Sequence, residues 1–192
     1  MSSLLSAAIT DLSSSDAIMR AAAATEIYRR GRAPADRAVY TWWSDSEFAA
    51  LFGGPNPVVT VGLAVRPSTF ARIREANGGP PLAKMPPDQD AAEFELHFPD
   101  DISLDVLTTR DPKGEGAIAK YLAKFGEGVQ QVEFRCASVD RAMQILKERF
   151  GVLPIYPKTR PGADDTKVNF FLVPQPSGGK VLVELYERGD GV

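Results

Sequence analysis

Cysteine is almost missing from this 192-residue chain. Cys136 stands alone, so no internal disulfide can staple the fold. It falls on the apolar side of a strand-like run, where inert packing is the default, and its solitude suits a reducing, cytoplasmic setting. Excess charge is missing too. With 22 basic against 25 acidic side chains the net charge is only -3. There is no basic field to hold a phosphate backbone, which argues against nucleic acid as a partner. Long apolar runs are absent: nowhere do about eighteen apolar residues follow one another. The start "MSSLLSAAIT" has neither the basic opening nor the apolar stretch of a signal peptide. A soluble chain is expected, long enough to bury a core without staples.

The first 56 residues read as a helical extension, residues 1–56. "SSDAIMRAAAATEIYRRGR", Ser14 to Arg32, is alanine-rich with arginines at its far end, and Gly31 then Pro34 are expected to end the helix. "SDSEFAALF" opens on Ser44 with Glu47 three residues on, the pattern of a capping box, and "GGPNP" closes it. Trp42 and Trp43 in "YTWW" read as packing residues ahead of ligand stacking.

From Val58 the texture changes to short alternating runs. "VVTVGLAV", "AEFELHF" and "ISLDVLTT" are strands, and "PSTFARIREANGG" is a helix. After a linking helix over about 114–125 come "QVEFRCA", "SVDRAMQILKERFG", "VLPIYPK", "KVNFFLV" and "KVLVELYE", which read strand, helix, strand, strand, strand. With "PPLAKMP" as a weak second strand, the first half reads the same way. The fold class expected is α+β: two βαβββ modules, about 57–110 and 127–188, forming one domain over 57–192.

Alternation sorts each strand into two rows. One row is apolar: Val61, Leu63, Val65, Phe94, Leu96, Phe98, Ile102, Leu104, Val106, Val132, Phe134, Cys136, Val168, Phe170, Leu172, Val181, Val183 and Leu185. That row should pack the helices. The other carries Thr60, Glu93, Glu95, His97, Asp105, Gln131, Glu133, Arg135, Asn169, Phe171, Glu184 and Tyr186, and chemistry belongs there if the face is not simply solvated. His97, the sole histidine, lies on one strand face with Glu95 and Glu93, which makes charge pairing its first expected role ahead of acid or ligand.

The segment from "AIAKYLAKFGEG" to "VELYE" resembles the second half of methylmalonyl-CoA epimerase, in the vicinal-oxygen-chelate superfamily with glyoxalase I and the bleomycin-resistance proteins. The entry "GEG", the turn "RPGA", the strand "VNF" and the end "SGGKVLVEL" carry the likeness. The first module matches more loosely, and the extension is not covered. The resemblance implies sheets curled into a cup with the polar row inside. It also implies a divalent metal bound by four positions, two from each module. The histidine opening the first module falls on Thr60 in "TVGLAV", the histidine opening the second falls on Gln131 in "QQVEF", and the carboxylate positions fall on Asp105 and Glu184. Both imidazoles are replaced. No tightly bound transition ion is expected, and Asp105, Gln131 and Glu184 form an oxygen set suited to a weakly held Mg, Ca or Mn ion.

The family's base, which takes the proton next to a thioester carbonyl, falls on Glu93. Two readings follow for the function. One is a diverged isomerase or lyase using Glu93 and Glu184 as catalytic carboxylates. The other is a non-catalytic ligand-binding protein of the sequestration or resistance type with a metal-free cup. In both, Thr60, His97, Asp105, Gln131, Arg135, Asn169, Phe171 and Tyr186 are the residues expected to meet the small molecule. The resemblance also allows a homodimer.

Overall fold

A computed structural model of the chain describes residues 3–54, 56–175 and 178–189. Pro55 of "GGPNP" and Ser177 of "SGGKVLVEL" lie outside the described residues. Among the described residues no helix is long and apolar enough to cross a membrane. The chain divides into two compact units, Met1–Gly31 with Thr60–Gln130, and Arg32–Val59 with Gln131–Val192.

In the first unit, α1 (Ser3–Asp11) and the opening of α2 (Ala17–Val39) precede β1 (Val59–Ala64), α4 (Pro67–Ala76), β2 (Ala92–Phe98), β3 (Ile102–Thr108) and α5 (Ala117–Phe125). The strands lie in the order β2-β3-β1, with β1 parallel to β3 and β2 antiparallel to it. The expected apolar row packs as read. Val61, Leu63, Val65, Phe94, Leu96, Ile102, Leu104 and Val106 form one core with Phe70 and Ile73 of α4. Ala23, Ala24 and Ile27 of α2 join it, as do Ile9 and Leu12 of α1. Full burial of each large side chain contributes about 1.5–3 kcal/mol, so these N-terminal helices are integral to the unit.

The second unit contains the rest of α2, the 3-10 turn Tyr40–Ser44, α3 (Ser46–Leu51), β4 (Gly128–Arg135), α6 (Val139–Phe150), β5 (Arg160–Pro161), β6 (Lys167–Pro174) and β7 (Lys180–Glu187). Its strands lie in the order β4-β7-β6-β5, with β4 parallel to β7 and the remaining pairs antiparallel. Each unit therefore repeats one device, a first strand parallel to its last. The class is α+β with mixed sheets, as expected. Helix α6 begins where the sequence signals it: Ser138 Oγ accepts from Arg141 N at 3.3 Å, and Gly151 closes the helix at φ 66°.

Several local expectations are corrected. Helix α2 does not stop at Gly31 or Pro34 but continues to Val39. Ala35 and Val39, fully buried, hold the extra turns against the hydrogen bond that Pro34 cannot make. The cap of α3 is Asp45, whose Oδ1 accepts from Phe48 N at 2.9 Å, one residue beyond the expected Ser44. Glu47 turns instead to Arg141 and Arg149 of α6. Neither "PPLAKMP" nor "VLPIYPK" is a strand. Each makes a single ladder-like bond, Ala83 N to Glu93 O at 3.0 Å and Ile155 N to Phe170 O at 2.7 Å. The prolines at 80, 81, 86, 87, 154 and 157 have no N–H to give, which interrupts any longer ladder.

Candidate functional site

The first unit places its expected residues on one sheet face. Register pairs Gly62 with Asp105 and then Glu95 with Asp105, Glu93 with Leu107, and His97 with Ser103. Alternation puts Thr60 on the same face, two residues before Gly62. Thr60 and Asp105 are buried and Glu93 is half-buried. His97 is 67% exposed at its side chain, with Nε2 3.2 Å from Glu95 Oε2 and Nδ1 3.1 Å from Ser103 Oγ. That geometry makes it a surface charge partner.

The second unit holds a buried polar cluster. Glu133 of β4 lies beside Glu184 of β7 in the parallel register, and Gln131 projects to the same face two residues earlier. The three are 6%, 7% and 8% exposed for Gln131, Glu133 and Glu184. Gln131 Nε2 donates to Glu133 Oε1 at 3.0 Å and to Glu184 Oε2 at 2.6 Å. The amide thus turns its NH2 toward the pair, each N–H meeting a carboxyl oxygen. Tyr186 and Arg135 pair with each other farther along that face, Tyr186 buried and Arg135 exposed.

Asn169 and Phe171 are not on this face. In the β6–β7 register the partner of Glu184 is Phe170, while Asn169 opposes Leu185 and Phe171 opposes Val183, both core residues. Phe171 packs edge-on against Trp42 at 6.2 Å. Asn169 Nδ2 donates to the carbonyls of Tyr156 at 2.9 Å and Lys158 at 3.1 Å. It supports the loop that replaces the expected strand. The physical reason for the misreading is that both rows of "KVNFFLV" are apolar apart from Lys167 at the strand's start and one asparagine. A buried asparagine satisfied by backbone carbonyls mimics an outward-facing polar residue.

The corrected parity adds residues that sequence reasoning missed. Phe170 shares the face with Glu184, Tyr156 meets Phe170 edge-on at 6.2 Å, and the Arg160 guanidinium lies 4.5 Å over the Tyr156 ring. The signal available was "YPKTR" before an aromatic pair; reading 152–158 as a strand hid it. Cys136 is buried as expected, and burial pushes its thiol up to about 12.

The donor set does not fit a transition ion. Among the described residues, no three His, Cys, Asp or Glu side chains are grouped to hold a metal. At the position that the resemblance assigns to an imidazole, Gln131 presents N–H donors to Glu184, and a donor N–H is no ligand.

No family model matches the chain, and no curated protein matches it. Solved structures do. Methylmalonyl-CoA epimerase from Mycobacterium tuberculosis is 30% identical, with 68% of this chain and 86% of that chain covered at a TM-score of 0.55. A hypothetical protein from Bacillus halodurans C-125 is 25% identical over 69% of this chain and 94% of that one, also at 0.55. A variant of Streptomyces coelicolor methylmalonyl-CoA epimerase, solved with 2-nitronate-propionyl-CoA, shares the fold at 23% identity, 68% and 95% coverage and a TM-score of 0.52. The identity and coverage of the mycobacterial enzyme, together with the repeated strand–helix–strand units, show that this chain belongs to the methylmalonyl-CoA epimerase-like family of the vicinal-oxygen-chelate superfamily.

Proposed function

We propose that this protein moves a proton at a carbon next to a carbonyl, with an acyl thioester as the substrate class and Glu93 as the base. The reading draws its reaction class from the mycobacterial relative, named for an epimerase of a CoA ester. The observation that carries it is the Glu133–Gln131–Glu184 cluster. Two carboxylates at 7% and 8% exposure on a sheet face add nothing to a core, and buried acids bridged by an amide are characteristic of sites that handle protons.

A carboxylate removes such a proton only if the enolate oxygen is stabilised as charge builds. Within the second unit, Glu184 is the carboxyl proposed to handle protons. It lies beside Glu133 in the strand register, and a carboxyl group that holds a proton can pass it on or donate a hydrogen bond. His97 and Arg135 have no part in this step, because one is tied to Glu95 at the surface and the other is exposed. Phe170 and Tyr156 supply apolar surface beside the acid.

The test is deuterium uptake at the α-carbon of a 2-methyl-branched acyl-CoA in heavy water, read by mass spectrometry. The wild-type protein should exchange the proton, and Glu93→Gln should slow exchange by about 10²-fold or more. Equal rates for the two would refute the role of Glu93. The second reading, binding without turnover, is favoured by Leu172, 51% exposed on the face of Glu184 and opposite Leu182. Thermal stabilisation by the acyl-CoA with no exchange would select it.

A further inference from the structure

We propose that the Gln131 amide stands in for a cation between Glu133 and Glu184, so that this position is closed to divalent metals by hydrogen bonding. The proposal concerns the fixed chemistry of the second unit and holds whether or not the protein turns over a substrate. Its basis is geometric. A primary amide has two N–H bonds diverging from one nitrogen, and here both are used, at 3.0 Å and 2.6 Å, on carboxylates from two adjacent strands. A divalent ion between the same oxygens would do the same work, neutralising two facing acids and tying β4 to β7. The amide does it with partial charges and no ion to desolvate.

The arrangement also excludes the ion. A glutamine ligates a hard cation through its carbonyl oxygen. Turning Oε1 toward the pair, as ligation requires, would give up both of the N–H bonds made here. The nitrogen that faces the carboxylates has no lone pair to offer. The family's metal position is thus replaced by a donor of opposite coordination chemistry, and a simple loss of affinity does not describe it.

An isosteric exchange tests this. Gln131→Glu swaps the NH2 for an oxygen, so that a third carboxyl takes the place of the bridging amide. In EDTA this variant should unfold at a lower temperature than wild type. About 1 mM Ca²⁺ or Mn²⁺ should restore it by several degrees while leaving wild type unmoved. Gln131→Glu combined with Glu184→Gln returns one amide to the cluster from the other strand. That double variant should recover the wild-type midpoint in EDTA and lose the response to ions.

Two results overturn the proposal. One is a wild-type protein stabilised by these ions through a response that Gln131→Leu removes, which would make the amide a ligand. The other is a Gln131→Glu variant that matches wild type with and without ions. If the single variant folds in neither condition, the double variant decides: folded and insensitive to ions upholds the bridge, and unfolded refutes it.

Discussion

Gly31→Ala sets two known effects against each other, and the structure decides which wins. In an ordinary helix interior alanine is favoured over glycine by about 0.8–1 kcal/mol. Gly31 lies within α2, so propensity alone predicts a gain. A methyl built there would sit 2.5 Å from Val61 Cγ1 and 3.0 and 3.2 Å from the two γ-carbons of Val129. Val61 is fully buried and its branched side chain is stiff, so it has little room to yield. Overpacking of this kind costs about 1–3 kcal/mol. The net expectation is a loss of about 1 kcal/mol, or roughly 2–4 °C in a chain of this length. Urea denaturation followed by circular dichroism reads it as a lower midpoint with an unchanged slope. The cross-check is Val61→Ala, which removes the Cγ1 atom: in that background Gly31→Ala should lose most of its cost, with only the Val129 γ-carbons at 3.0 and 3.2 Å still to yield. A Gly31→Ala protein more stable than wild type would refute the close approach of α2 to β1. So would the same destabilisation in both backgrounds.

Three further outcomes follow from local geometry. Asp100 and Asp101 form the β2–β3 turn with φ of 62° and 56°, a pair of left-handed positions that glycine prefers; Asp101→Gly should raise stability by about 0.5–1 kcal/mol in the same urea assay. Cys136, buried with its thiol pushed up to about 12, should resist Ellman's reagent at pH 8 until the protein is unfolded, and rapid labelling of the native protein would contradict its burial. Asp45 is held below the ordinary carboxylate range by Phe48 N–H and then Arg149, and Glu47 by Arg141 and then Arg149. Folded values that lie below the unfolded ones contribute stability above the unfolded values and lose it as pH falls through the folded ones. Acid unfolding should therefore be shallower from about pH 4 downward in Glu47→Gln, and a wild-type curve of identical shape would show that the ion cluster adds nothing measurable.

How much of this was legible depended on contrast between the two rows of each strand. In "AEFELHF" one row is apolar and the other charged, and the β2 parity read from it matches the core. "QVEFRCA" and "KVLVELYE" have the same contrast, so Gln131, Glu133 and Glu184 could be placed together before any coordinates. "KVNFFLV" lacks it, and its asparagine pointed the wrong way. Glycine and proline were misread for a related reason. Gly31 followed by Pro34 carries the local signature of a helix stop, yet Gly31 serves close packing against Val61, and buried Ala35 and Val39 carry the helix past Pro34. Tertiary burial outweighed propensity there, and no window of sequence contains that burial.

The two buried amides show where sequence reasoning about a site runs out. Gln131 and Asn169 are both fully or nearly removed from water, both sit on strands of one sheet, and both are neutral where charge or imidazole was the expectation nearby. Asn169 spends its donors on the carbonyls of Tyr156 and Lys158, main-chain groups left without a ladder by Pro154 and Pro157. Its work is to hold a loop. Gln131 spends its donors on two side-chain carboxylates that would otherwise repel each other. A backbone carbonyl must be satisfied wherever it is buried, so an amide that meets one is explained by the fold alone. A pair of buried acids has no such necessity, because either could have been replaced by an apolar side chain of similar size with little loss. The partner of the amide, and not the amide itself, is what separates the two cases, and it is why the proposed chemistry is argued from Glu133 and Glu184 rather than from Asn169.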